Sequence, residues 1–417
     1  MRHRVLATVA VLAVLLGLVA ATASAGPQRA QANKLTVWLQ VDAQSGWPDI
    51  VAAANQQFQK DNPGWSVDVQ YQNWGDHLQK FDATLAGGNT PDVIEMGNTE
   101  MAKYMFAGAF ADLTASKSQF DNASNWLAGL AKSAMYKGKV YGVPYYAGSR
   151  VITYRSDLFA KAGMKSAPTS LAQLQATLAK IGKQHKSVKG FSPLYVGGED
   201  WYSAISFVYD FGGSIARTHG GKWVGNLTSK KSIAGLTAFK NFFLATQAKS
   251  TATLDGSNPF PYAVFSQGLT AANYGPAWYS CCTGAKYKAA TAQFVMPSHT
   301  KGKPMPGFLG GSDLAVPVQS DAKAQATAWI ADFTSTANER SLEVKGNIPN
   351  ATNLLGNTVN ERAAARSWFV PQAKHWVDIE NGNILKTMLS QILTGRLTVQ
   401  QAAAVASANI TQTLNES

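Results

Sequence analysis

An α/β fold built around a parallel sheet is predicted by two observations on this 417-residue chain. Short β-rich runs alternate with segments of helical periodicity through its first third, the order that places helices over parallel strands. Length is the second: setting aside a leader of 25 residues leaves roughly 390, enough for about two to three domains that each bury a core.

The leader comes first. Arg2 and Arg4 precede an uncharged apolar run from Val5 to Ala21, and Ala23-Ser24-Ala25 offers a small-x-small cleavage site before Gly26. This is the pattern of a secretory signal peptide over residues 1–25. The run is only slightly short for a membrane span, so an uncleaved anchor helix is the other reading. No cysteine stands at the cleavage point, and none occurs before Cys281. An exported, periplasmic or extracellular chain without a lipobox is expected.

KLTVWLQ (34–40) then reads as a strand. GWPDIVAAANQQFQKDNP reads as a helix with Pro48 near its start, Ile50, Val51, Ala54 and Phe58 on one face, and Asn62-Pro63 as its stop. WSVDVQYQ (65–72) alternates as a strand, and Trp74, Leu78, Phe81 and Leu85 recur at helical spacing up to the Gly87-Gly88 break. PDVIEM (91–96) resumes as a strand. Ligands of such sheets sit in the loops at the carboxyl ends of the strands. Here those are VDAQSGW (41–47) and GNTE (97–100), whose surroundings offer Asp42, Gln44, Ser45, Glu95 and Asn98 for hydroxyl recognition. Helix capping is the plainer role for Ser45 and Asn98.

Further on, YGVPYYAGSRVITYRSDLF (141–159) reads as a strand, a bend at Pro144, and a second strand running into a capped helix. GGEDWYSAISFVYDFGG (197–213) starts a helix behind Glu199 and Asp200, an acidic pair that suits a solvated helix start. In NYGPAWYSCCTG (273–284), Trp278 follows a Gly-Pro turn and precedes the chain's two cysteines. GFLGGSDLAVPVQSDAKAQATAWIADFTS (307–335) gives a glycine turn, a strand, and a helix capped near Asp321 with Trp329, Ile330 and Phe333 inward. An Ala-rich helix capped near Thr398 ends the chain.

Charged residues make up 15% of the chain, below the usual share of about 25%, which suits neutral polar ligands. The net charge is +12, with lysines scattered rather than stacked on one helix. No nucleic-acid groove is therefore expected; a solvated basic surface is the plainest reading, and attraction to an acidic cell envelope the milder one. A structural zinc site needs about four ligands at set spacings, and the six histidines show no HxxxH, nor the cysteines a CxxC. No metal or cofactor is expected. A cysteine nucleophile would want a partnered histidine, and none lies nearby in sequence. In an exported chain Cys281 and Cys282 can form a vicinal disulfide that stiffens the backbone after Trp278, or they can be two small residues with no further role.

LTVWLQVDAQSGW, GGNTPDVIEMGNTE, GKVYGVPYYAGSR, YGPAWYS, GFLGGSDLAVP and VKGNIPN occur in this order across nearly the whole mature chain. In order and spacing they resemble the family 1 extracellular solute-binding proteins of ABC sugar transporters, above all the actinobacterial branch that includes diacetylchitobiose-binding proteins, and more distantly maltose-binding protein. The resemblance implies a two-lobed periplasmic-binding-protein-like α/β fold, with the ligand held in a cleft between lobes joined by hinge segments. The lobes would comprise residues 34–145 with 313–346, and 150–310 with 350–417. The hinges would fall near Tyr146 to Arg150, Phe308 to Ser312, and Lys345 to Asn350.

It further implies a monomeric, non-enzymatic receptor that delivers a mono- or oligosaccharide, such as diacetylchitobiose or a related disaccharide, to the membrane permease subunits of an ABC importer. Trp278 matches the cleft tryptophan after the Gly-Pro turn, although Ala277 is inserted between the proline and the tryptophan. Trp376 matches a second stacking residue, and Trp201 or Tyr202 an aromatic after an acidic turn. Gly311, Ser312 and Asp313 match a loop that meets sugar hydroxyls.

The chemistry agrees with the resemblance. A pyranose presents apolar C–H faces and a rim of hydroxyls, so it calls for flat aromatic platforms with fixed polar groups at their edges. Trp278, Trp376, Trp201, Tyr202 and Tyr145 supply candidate platforms, and Asp42, Glu95, Asn98, Arg150 and Asp313 a candidate rim. With 11 tryptophans in the chain, core packing competes for each. Two other classes stay open. A secreted glycosidase would need two carboxyls roughly 5 to 10 Å apart, for which Glu95 with Asp313 or Asp200 can be imagined, though no hydrolase motif accompanies them. A non-catalytic adhesin would suit the basic charge.

Overall fold

The computed structural model describes residues 33–255 and 259–416. The leader expected over residues 1–25 lies outside the described residues, as do the side chains of Lys249 and Cys281. β1 (Asn33–Gln40), α1 (Val41–Gly46), α2 (Pro48–Asp61), β2 (Trp65–Gln72), α3 (His77–Gly87) and β3 (Val93–Gly97) follow in chain order. β1 lies between β2 and β3 and runs parallel to both, as helical crossovers require. α2 opens on Pro48, whose missing N–H is harmless in the first turn, and it buries Ile50, Val51, Ala54 and Phe58. Gly88, left-handed at φ 73°, closes α3.

Beyond β3 the sheet turns antiparallel. Strand Gly310–Ala315 pairs with β3, Val143–Gly148 pairs with that strand, and Ile348–Pro349 forms the edge. The six-stranded sheet is therefore mixed, because its second half is contributed by distant chain returning from elsewhere rather than by further β-α-β units. A smaller antiparallel sheet sets Arg150–Arg155 between Ala272–Pro276 and Thr291–Phe294.

Two large cores flank these sheets. One collects Leu35, Val37, Leu39, Phe58, Trp329, Ile330, Phe333 and Leu342. The other collects Phe159, Ile181, Phe207, Phe239, Trp376, Leu389 and Ile410, closed by a final helix, Val399–Leu414, whose Thr398 and Gln401 form a reciprocal capping box. Ala351 and Leu354, expected in the second lobe, pack in the first core. There Ala351 bridges to Trp126, and the Asn350 carbonyl accepts from Leu127 N–H. No helix among the described residues is long and apolar enough to cross a membrane.

The chain passes between the cores along neighbouring strands. Ala147 lies opposite both Gly311 and Ile348, and Tyr146 opposite both Ser312 and Pro349, so the three crossings run side by side. Asn360 staples two of them: its Oδ1 accepts from Ser149 N–H at 2.8 Å and its Nδ2 donates to the Gly346 carbonyl at 2.9 Å. Gly311 has φ 154°, and a Cβ there would stand 2.0 Å from the Tyr146 carbonyl oxygen. Only glycine lets these two strands approach so closely.

Candidate binding cleft between the lobes

The three crossings floor a cavity of about 420 Å³. Trp74, Asn98, Thr99 and Glu100 face it from the side of the first core, Arg150, Tyr202, Trp278 and Glu380 from the side of the second, and Tyr146, Phe308, Gly311 and Asn347 complete the lining. A larger cavity of about 550 Å³ around Pro168, Phe294, Pro304 and Arg362 draws on the second lobe alone, and among the described residues neither a tryptophan nor a carboxyl lines it. The cleft has both.

Trp74 and Trp278 are 40% and 38% exposed, unusual for so apolar a ring, and they stand on opposite sides of one cavity. Trp278 sits on a 3-10 turn, Ala277–Cys282, entered from the end of strand Ala272–Pro276; the Gly-Pro pair therefore ends a strand rather than making the turn. Tyr279 packs edge-on against Trp278 with ring centroids 4.8 Å apart, and Tyr262 tilts against it at 5.7 Å. Gly275 makes room for this stack, since a Cβ there would meet the Tyr279 ring at 2.4 Å. Gln293 donates to the Ala277 carbonyl at 2.6 Å, and Ala277 N–H to the Ser149 carbonyl at 3.2 Å. The turn is thus tied to a crossing segment. Cys282 is disulfide-bonded, and Cys281 is the only other cysteine in the sequence.

Trp74, read from spacing as one of the inward residues of α3, precedes that helix and lines the cleft instead. Its indole N–H donates to Asp42 Oδ2 at 2.5 Å, and its ring meets His77 edge-on at 5.3 Å. The signal was available. Trp74 follows the carboxyl end of β2, the third strand end where ligands gather in such sheets.

The cleft brings Asn98, Arg150, Tyr202, Trp278 and Gly311 together and leaves the other expected residues outside its lining. Tyr145 is buried in the first core, where it pairs with Trp47 Nε1; its neighbour Tyr146 takes the lining position because successive strand residues face opposite ways. Trp376 and Trp201 are buried in the second core with ring centroids 5.9 Å apart, so neither is a free platform. Trp201 stacks beneath Tyr202 at 3.8 Å and supports the ring that does reach the cleft. Residues 41–46 form the short helix α1, not a loop, leaving Gln44 and Ser45 exposed outside the cavity. The Ser45 hydroxyl turns back to the Val41 carbonyl and caps nothing. Asp42 acts through Trp74.

Glu95, Ser312 and Asp313 lie buried in the sheet. Glu95 accepts from Gln40 N–H at 2.8 Å and Asp313 from the Ser133 hydroxyl at 2.7 Å. Burial pushes both carboxyls up to about 7. Asn98 spends its amide N–H on the Leu309 carbonyl at 3.0 Å, fixing a crossing segment. Arg150 pairs with Asp200 at 3.1 Å, donates to the Ser203 hydroxyl at 3.2 Å, and lies 4.8 Å above the Tyr202 ring. Burial works against its charge, but Asp200 and the surrounding tyrosines outweigh it and raise its pKa. Asp200 also caps the helix Trp201–Asp210, so the expected acidic helix start is engaged, not merely solvated.

Among the described residues the carboxyls that line the cavity are Glu100 and Glu380, neither singled out by sequence. Glu100 Oε2 accepts from Gly97 N–H at 2.8 Å and lies 2.9 Å from His77 Nε2. Burial opposes a charge on His77, but Glu100 prevails and raises its pKa. Glu380, in the helix Trp376–Asn381, accepts from Tyr202 Oη at 3.3 Å and, across the cleft, from Thr99 Oγ1 at 3.2 Å. Burial, then the charge of Glu100, pushes Glu380 up to about 7. No sequence signal marks a mid-helix glutamate. Among the described residues no group of three or more His, Cys, Asp or Glu could hold a metal ion.

The model of a family described as bacterial extracellular solute-binding protein matches residues 39–340. The diacetylchitobiose binding protein DasA of Streptomyces coelicolor is 30% identical over 351 residues, 81% of each chain. The maltodextrin-binding protein MdxE of Bacillus subtilis is 21% identical over 329 residues, 78% of this chain and 74% of its own. Among solved structures, the GacH receptor of Streptomyces glaucescens, determined unliganded and in complex with acarbose, superposes with a TM-score of 0.78 at 20% identity, covering 92% of this chain and 99% of its own. Two lobes around a cleft are thus a fold shared with these proteins, and the chain belongs to the bacterial extracellular solute-binding proteins.

Proposed function

We propose that this chain is a monomeric carbohydrate receptor that closes on an oligosaccharide of about disaccharide size and hands it to the permease subunits of an ABC importer. The observation that carries this reading is the pair of exposed tryptophans, Trp74 and Trp278, lining one cavity from opposite lobes. Flat rings take the apolar faces of a pyranose, while Glu100, Glu380, Tyr202 and Asn347 supply hydrogen-bonding groups to its hydroxyls. The similarity to a diacetylchitobiose binding protein over 81% of the chain supports a disaccharide of that class. Calorimetry with N,N′-diacetylchitobiose, N-acetylglucosamine, cellobiose, maltose and trehalose tests it: tight reversible binding without product marks a receptor, release of monosaccharide an enzyme, and no binding at all contradicts the reading.

A ligand that touches both lobes binds the closed arrangement better and draws the population toward it. The lobes, residues 34–145 with 313–354 and 150–310 with 355–417, then rotate about the three crossings. Small-angle scattering is expected to record a smaller radius of gyration on saturation with the sugar. A saturating sugar that left the radius unchanged would contradict the clamp.

The disulfide of Cys282 serves, in this reading, to stiffen the turn that presents Trp278, so that less ordering is left to the ligand. Reduction, or a double Cys→Ser substitution, is expected to weaken binding by at most about 1 to 2 kcal/mol. Complete loss of binding in a folded protein would contradict a role limited to stiffening.

A further inference from the structure

The cleft does not share the basic character of the molecule. The chain carries a net +12, yet among the described residues no lysine lines the cavity, and the arginine that does, Arg150, is committed to Asp200 at 3.1 Å. Two carboxyls, Glu100 and Glu380, line it from opposite lobes. Glu100 binds Gly97 N–H and His77 through Oε2. Glu380 accepts from the hydroxyls of Tyr202 and Thr99 and faces the Trp376 indole, none of them a cation. We propose that the cleft prefers saccharides bearing a protonated amine over neutral ones and discriminates against uronic acids, with the ammonium seated between Glu100 and Glu380. This inference rests on the carbohydrate-receptor reading and narrows its substrate class.

An ammonium is a three-donor cation, and the pair offers oxygens from both lobes, so one group can meet both carboxyls and bridge the cleft. Among the described residues, those facing Glu380 leave it no cation of its own: Glu100 and Thr99 across the cleft, Tyr202 and Trp376 on its own side, Arg150 engaged with Asp200, and the neighbouring Lys386, 3.7 Å from Asp255. Near pH 6.5 Glu380, held up to about 7 by burial and Glu100, is partly protonated. An incoming ammonium favours the carboxylate, and the proton leaves to solvent. A neutral sugar gives no such release.

Titration calorimetry on the mature protein at pH 6.5, in two buffers of different ionisation enthalpy, compares the disaccharide of glucosamine with N,N′-diacetylchitobiose, cellobiose and a uronic disaccharide. The glucosamine disaccharide is expected to bind about tenfold tighter than cellobiose at low salt, as for one partly buried charge pair, and to release protons on binding. The uronic disaccharide is expected to bind more weakly than cellobiose. In Glu380→Gln the ratio of amine to neutral affinity is expected to fall toward one and the proton release to vanish. Neutral disaccharides binding as tightly as the amine, or an amine bound without proton release, would overturn the inference and leave the receptor reading standing. Failure of every saccharide to bind would remove the receptor reading itself, and this inference with it.

Discussion

Replacing Trp74 or Trp278 by alanine is expected to weaken saccharide binding by about 2 to 4 kcal/mol, roughly 30- to 1000-fold, while leaving the protein folded. Each ring is about two-fifths exposed, so truncation opens no large core cavity, and stability should change far less than for a buried tryptophan. The two substitutions are distinguishable. Trp74→Ala also frees Asp42, which accepts its indole N–H, and adds an unpartnered carboxylate at the cleft. Trp278→Ala removes one ring from an aromatic cluster in which Tyr262 still stacks on Phe260 and meets Tyr279, so no polar group is stranded. Calorimetry beside circular dichroism checks the prediction, and unchanged affinity in a folded Trp278→Ala would remove that ring from the binding surface.

Arg150→Met is expected to act on stability first, by about 3 kcal/mol, the lower end of the range for stranding one partner of a buried ion pair. The lower end applies because Asp200, 9% exposed in its side chain, keeps the Ser203 backbone and hydroxyl as donors at the helix start. Arg150→Lys should recover only part of the loss, since an ammonium cannot reproduce both the Nε bond to Ser203 and the planar contact over Tyr202. Urea unfolding measures both variants. A midpoint unchanged in Arg150→Met would show that the pair contributes nothing to the fold, and would return Arg150 to the role of a ligand-facing cation.

Sequence by itself determined the local elements and their order. β1 to β3 with α2 and α3 between them were legible because alternation and helical spacing record which face of each element is buried, and Pro48, Gly88 and Thr398 mark ends by their own backbone chemistry. Trp278, expected in the cleft from the family resemblance, lines the cavity. Which of the other aromatics reached the cleft was decided only by tertiary structure. Tyr145 and Tyr146 are adjacent, and the pairing of their strand with the distant Gly310–Ala315 sends one ring into the core and the other to the cavity. Trp376 and Trp201 fit an aromatic platform by type, but both are buried in the second core with their rings 5.9 Å apart.

Glu100 and Glu380 lie 280 residues apart (380 minus 100), and they share a cavity only because two lobes face each other across three crossing strands. Periodicity reports burial along one element. It carries nothing about which two elements, from opposite ends of the chain, will look at the same space.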